Sequence, residues 1–178
     1  MNDNFDPCLD FTLLPDNDGA PYHVDSGGGT SWGVTRETWS RWIGHPASVA
    51  DMKAITKSSV SGLYHAWFWH TIAGNSLPLG VDLMVFDMGV TSGTHHPAVQ
   101  LQEAIGFTGD DVDGDIGPET LAATQKVDPI KLIELLTAAQ ESYYRSCREF
   151  PVDGNGWLAR LQRRSVAARA MIPASPTT

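Results

Sequence analysis

The chain has 178 residues, and 12 Lys and Arg against 21 Asp and Glu leave a formal charge of −9. That length fits one domain or two small lobes on a shared core, and 42% hydrophobic with 19% charged residues is a globular composition, neither disordered nor collagen-like. The acidic balance excludes a nucleic-acid groove and an anionic-membrane binder, which need clustered Lys and Arg, and attraction to an anionic polymer cannot rest on bulk charge.

Phe5, Cys8, Leu9, Thr12, Leu13 and Asp16 fall at helical spacing, and Asp3 or Asn4 can cap that helix. Pro15 disfavours helical geometry at Leu14, so the helix should stop there with an acid, Asp16, at its end. Residues 17–34 hold a Gly-rich run that reads as a long loop or a small β-hairpin. Thr35 should cap a helix carrying Trp39, and a short helix is expected over Ser48–Ala54. Val60, Leu63, Tyr64, Trp67 and Phe68 place a helix over Ser58–Ala73. Gly80–Val90 is apolar nearly all round, which predicts a buried central helix. Further helices are expected over Pro97–Ile105, from Pro118, from Asp128-Pro129 to about Glu149, and from Gly156-Trp157 to before Pro173. The fold class is therefore mostly α. The tail after Pro173 is expected to be disordered.

The chemistry concentrates between Asp16 and Thr30. Asp16, Asp18 and Asp25 sit in a Gly-rich setting behind a buried stripe. Two carboxylates on different local backbones are what glycoside hydrolysis requires: one held protonated as acid, the other placing a water or steadying positive charge. A carboxyl at a helix C-terminus faces the negative end of the helix dipole, which favours its protonated form. On spacing alone these acids also fit a solvated turn.

The same stretch resembles the opening of the phage-type muramidases of glycoside hydrolase family 108. The residues that carry the resemblance are Phe5, Cys8-Leu9, Thr12-Leu13, Asp16 and, without a gap, Asp25-Ser-Gly-Gly-Gly-Thr-Ser-Trp-Gly-Val-Thr35. Further matches are Tyr64 with Trp67 and Trp69, Phe86-Asp-Met-Gly-Val-Thr-Ser-Gly93, Leu101-Gln102, Asp113-Gly-Asp-Ile-Gly-Pro-Glu-Thr-Leu121, and Gly156-Trp157 with Arg160. The resemblance implies a lysozyme-like helical fold. It also implies cleavage of the β-1,4 bond after N-acetylmuramic acid in bacterial peptidoglycan, without a cofactor or metal. The family's catalytic Glu corresponds to Asp16, one methylene shorter, and Asn17-Asp18 replace its Gly-Gly; Asp18 is the alternative acid.

The spacing Asp16, Asp25, Thr30 also resembles the acid–Asp–Thr triad of the T-even phage lysozymes. In that analogy Asp16 is the general acid, Asp25 positions water or stabilises the oxocarbenium-like transition state, and Thr30 holds the water. Asp18, Gly28, Gly29, Trp32 and Asp87 are the expected sugar-contacting residues; for Asp87 a buried, hydrogen-bonded structural acid is an equal reading. The resemblance further implies a muramidase lobe over residues 1–92 and a helical peptidoglycan-binding-like lobe over 93–172. The segment from Asp113 to Leu121 is similar to small peptidoglycan-binding modules, and it reads either as a structural staple or as a sugar contact.

The expected setting is that of an endolysin, a monomer held in the host cytoplasm until a separate holin-type pore protein releases it to the wall. No signal peptide is expected, because the first 20 residues lack a basic start and an apolar core. No segment approaches the roughly 18 apolar residues of a membrane span. Cys8 and Cys147 are too few for a disulfide framework and read as small buried hydrophobes. Trp39, Trp42, Trp67, Trp69 and Trp157 read as core residues. Neither His65/His70 nor His95-His96 has metal-ligand spacing, which disfavours a zinc amidase. A wall-binding protein without activity and a lytic transglycosylase are the alternative functions.

Overall fold

The computed structural model describes residues 4–14, 17, 19–25 and 28–173. The apolar stripe at the N-terminus forms α1 (Phe5–Thr12), with Phe5, Cys8, Leu9, Phe11 and Thr12 all buried. An antiparallel sheet follows, with strand order β1 (His23–Asp25), β2 (Gly28–Ser31) and β3 (Val34–Thr35). Next come α2 (Arg36–Ile43), α3 (Val49–Ala54) and α4 (Lys57–Tyr64), which runs into a π-helical turn at His65–Trp69. The remaining helices are α5 (Val81–Ser92), α6 (His95–Ala104), α7 (Pro118–Thr124), α8 (Pro129–Ser146) and α9 (Phe150–Ala170). The fold is thus mostly α, lysozyme-like, with the small hairpin where the Gly-rich run lies.

Local chemistry explains most helix starts. The Thr35 hydroxyl accepts from Thr38 N at 3.2 Å, and Ser48 and Asp51 form a reciprocal capping box. The Asp128 carboxylate accepts from Lys131 N at 3.0 Å. The helix expected over Ser58–Ala73 gives way to the π-helical turn after Tyr64, and the last helix starts early: α9 begins at Phe150, ahead of Gly156. Pro151 suits a first helical turn, and packing of α9 against α8 and α5 outweighs the poor intrinsic propensity of Gly154 and Gly156. Gly154 also lies so close to the Phe150 ring that a Cβ there would meet it at 2.5 Å.

The chain separates into two compact units. One is Leu9–Trp67; the other joins the residues through Cys8 to those from Phe68 onward. In the larger unit α5 packs against α6, α8 and α9. Within that larger unit α5 is the core element: Val81, Leu83, Met84, Val85, Phe86 and Met88 are wholly buried. Each such side chain contributes about 1.5–3 kcal/mol by leaving water. No helix among the described residues is long and apolar enough to cross a membrane.

Two polar clusters are built into the larger unit. Both carboxylate oxygens of Asp87, on α5, are taken by α9: Arg164 Nε donates to Oδ2 at 2.6 Å, and Arg160 Nη2 donates to Oδ1 at 2.7 Å. Arg164 also donates to Gln140 Oε1 and to the Tyr144 hydroxyl, and Gln140 donates to the Met84 carbonyl. Asp82 sits in the first turn of α5. Its Oδ1 accepts from Gly80 N and Leu83 N, and its Oδ2 accepts from Asn4 Nδ2 at 2.9 Å. Burial pushes this carboxyl up to about 6 despite those donors, each of which pulls the other way.

Cys8 and Cys147 are both free thiols. Cys8 is fully buried, and burial pushes its thiol well above the ordinary range, so it behaves as a small hydrophobe. Cys147 is half-buried.

Candidate active site

The Gly-rich motif folds as the expected hairpin. Asp25 is the Cα partner of Gly28, Val24 of Gly29 and His23 of Thr30; on the other side Thr30 faces Thr35 and Ser31 faces Val34. The ladder therefore brings Asp25 and Thr30, five residues apart in sequence, onto neighbouring strands of the same sheet. Thr30 and Ser31 are buried, and Val24 is the most exposed large hydrophobic residue of the sheet.

β2 and β3 are joined by Trp32 and Gly33, both at positive φ (50° and 73°). A two-residue hairpin connection of this sign matches the right-handed twist of the flanking strands. Gly33 takes this conformation freely, whereas Trp32 is strained there and must be held by its surroundings. The holding contacts are direct. Trp32 N donates to the Ala20 carbonyl at 2.7 Å, and the buried Tyr64 hydroxyl donates to the Trp32 carbonyl at 3.0 Å. The Trp32 side chain itself is half-buried.

Gly29 is required by close approach. A Cβ there would come within 2.8 Å of the Tyr22 ring, which covers the glycine and is itself approached by the Lys53 ammonium, 5.6 Å from the ring centre. An aromatic lying over a strand glycine compensates for the side chain the glycine lacks.

Asp16 and Asp18 lie outside the described residues, and the description of Asp25 and Gly28 is confined to their backbone. The residues flanking position 16 are closely tied. Asn17 N and Gly19 N both donate to the Leu14 carbonyl (2.9 and 3.0 Å), and Asn17 Nδ2 donates to the Phe11 carbonyl at 2.8 Å. Gly19 is buried so tightly that a Cβ would fall 1.8 Å from the Leu13 carbonyl oxygen.

Asp87 belongs elsewhere. Its side chain has no solvent exposure and is clamped by two guanidinium groups, so the buried structural acid is the reading that its geometry favours over sugar contact. The Asp113 loop likewise acts as a staple: buried Gln102 donates to the Asp113 carboxylate at 2.7 Å and accepts from Gly114 N at 2.8 Å. That side-chain donor, followed by the amide of Asp115, holds the Asp113 carboxyl below its usual range.

Of the tryptophans read as core, Trp39 and Trp69 are buried, but Trp42, Trp67 and Trp157 remain half-exposed. Sequence reasoning gave no role to Tyr22 or Asn17 and took Tyr64 as a helix-face residue and a motif match. An aromatic just ahead of a Gly-rich strand was the available signal for Tyr22; the Tyr64 bond spans too much sequence to have one. Among the described residues no group of three or more His, Cys, Asp or Glu could hold a metal ion.

The family model described as glycosyl hydrolase 108 matches residues 20–93, a span that contains the whole hairpin, Tyr64 and Asp87 and begins beyond Asp16. The solved structure titled "Structure of Brucella abortus SagA" is similar to this chain with a TM-score of 0.83 at 31% identity, covering 98% of each chain. Among curated proteins there is no match. The likeness to SagA along nearly its full length, together with the matched segment around the hairpin, means that this chain belongs to glycosyl hydrolase family 108 and is a glycosidase.

Proposed function

We propose that the protein is a peptidoglycan muramidase that hydrolyses the β-1,4 bond between N-acetylmuramic acid and N-acetylglucosamine. The observation that carries this reading is the β1–β2 ladder, which sets Asp25 and Thr30 on adjacent strands inside the segment that matches the family.

In the proposed mechanism Asp16 is the general acid. It follows α1 in the sequence and gives its proton to the glycosidic oxygen as the bond breaks. Asp25 stabilises the positive charge that develops on the sugar or orients the attacking water, and the Thr30 hydroxyl holds that water. Gly28 and Gly29 let the sugar approach the backbone, while Trp32 and Asp18 contact it. The helices after residue 93 are proposed to hold the wall polymer.

Digestion of purified peptidoglycan, read by mass spectrometry, tests the proposal. New reducing muramic acid ends are expected. Anhydro-muramic ends point instead to a transglycosylase, freed peptides to an amidase, and an intact wall with retained binding to an inactive adhesion protein. Asp16→Asn is expected to abolish turnover while leaving the fold intact; survival of turnover would remove Asp16 from the mechanism.

A further inference from the structure

A second aromatic surface lies in the Leu9–Trp67 unit, on α2 and the π-helical turn. Trp42, at the end of α2, and Trp67, in the π-helical turn, meet edge to face, with ring centres 5.5 Å apart and planes at 85°. Both remain half-exposed, whereas Trp39 and Trp69, on the same two segments, are buried. Gly62 lies beneath Trp42, and a Cβ there would stand 3.3 Å from the indole Cζ2, so the ring rests against nearly bare helix backbone. π-helical turns are rare and gather at functional sites, where the extra residue re-aims a side chain. Here the turn carries Trp67, one helical step beyond Tyr64, whose hydroxyl holds the Trp32 turn.

Arg41 completes the surface. Its guanidinium stands 5.2 Å from the centre of the Trp67 ring. Among the described residues it has no hydrogen bond and no ion pair, so all its N–H donors are open, and the residue is exposed. The Trp42 indole N–H likewise has no partner among the described residues. An indole presents an electron-rich face suited to the C–H face of a pyranose, and a free guanidinium is suited to a carboxylate. The protein carries a net charge of −9, so an acidic wall polymer is repelled by the molecule as a whole and must be met by a local cation.

We infer that Trp42, Trp67 and Arg41 form a second glycan subsite, in which the Trp42 indole stacks on an N-acetylated aminosugar of the strand, the perpendicular Trp67 flanks it, and Arg41 pairs with a carboxylate of its stem peptide. This inference rests on the muramidase reading for its ligand, but binding can be measured without cleavage. The test uses isotope-labelled full-length protein carrying Asp16→Asn, followed by NMR at the indole N–H resonances. One probe is an N-acetylglucosamine tetramer and the other a peptide-bearing disaccharide-repeat tetrasaccharide. Saturable shifts at Trp42 and Trp67 are expected with both. Adding Arg41→Gln should weaken the peptide-bearing ligand by about tenfold and leave the bare oligosaccharide unchanged.

Shifts confined to Trp32, or none at all, overturn the subsite. Equal loss or equal retention of both ligands in Arg41→Gln overturns the carboxylate pairing. Trp42→Ala should remove the response to both probes, and survival of that response also overturns the subsite. Because none of these readouts needs turnover, failure of the subsite is distinguishable from failure of wall hydrolysis by the unmodified protein.

Discussion

The Tyr64 hydroxyl reaches across 32 positions of sequence to the Trp32 carbonyl and closes on it at 3.0 Å. It is therefore a long-range tie on a turn whose first residue is strained. Tyr64→Phe removes the donor and leaves a part-buried carbonyl unpaired. The expected cost is about 1–2 kcal/mol of unfolding free energy, measured by urea titration. Relaxation of the hairpin should also lower peptidoglycan turnover by roughly tenfold or more. Unchanged turnover in a variant with the expected loss of stability would separate the turn from the chemistry.

Gly19 tests the loop that precedes the hairpin. A Cβ there would strike backbone atoms of Leu13, at 1.8 Å from the oxygen and 2.4 Å from the carbon, which cannot swing aside as a side chain can. Gly19→Ala is expected to cost at the upper end of the about 1–3 kcal/mol typical of overpacking, and to abolish wall cleavage. Gly156→Ala is the contrasting control: it sits inside α9 with nothing within 4 Å of its Cβ position. It should raise stability by about 0.5–1 kcal/mol through helix propensity.

The Asp87 clamp sets a third expectation. Arg164 is wholly buried, so Arg164→Leu removes one of the two guanidinium groups that clamp Asp87 and strips Gln140 Oε1 of its donor. Loss of one partner from a buried ion pair costs about 3–5 kcal/mol. Added salt should neither mimic nor relieve the loss, because buried charges are little screened. Denaturant titration at two ionic strengths measures both.

Asp82 gives the pH dependence. Its carboxyl is raised to about 6 in the folded protein, so the folded state binds the proton more tightly than the unfolded chain does. Its contribution to stability is therefore full below about pH 4 and is lost as pH rises through about 6, a swing on the order of 3 kcal/mol. Asp82→Asn keeps an oxygen for Gly80 N and Leu83 N, and a rotated Asn4 amide can accept from the new N–H. Plotted against pH, the melting temperature of the parent minus that of Asp82→Asn should fall between pH 4 and 6; a flat difference would show that burial does not disfavour this charge.

Much of the molecule was legible in order along the chain. The stripe from Phe5, the cap at Thr35, the helix starts at Ser48 and Asp128, the buried helix around Phe86 and the Gly-rich hairpin all follow from short-range rules. Helical periodicity, capping over three residues and the residues a turn demands require no knowledge of the rest of the fold. The motif around Asp25–Thr35 also pointed to the family to which the chain belongs.

Other features depend on which distant segments pack together. The same Asp87 could have faced a sugar or a guanidinium until α9 brought Arg160 and Arg164 onto it. The start of α9 at Phe150, the raised carboxyl of Asp82, and the contrast between buried Trp69 and half-exposed Trp67 were likewise decided by tertiary packing. Periodicity says that a residue lies on an apolar face, but burial and hydrogen-bond partners belong to the whole fold, because they are set by whatever surface arrives from elsewhere in the chain.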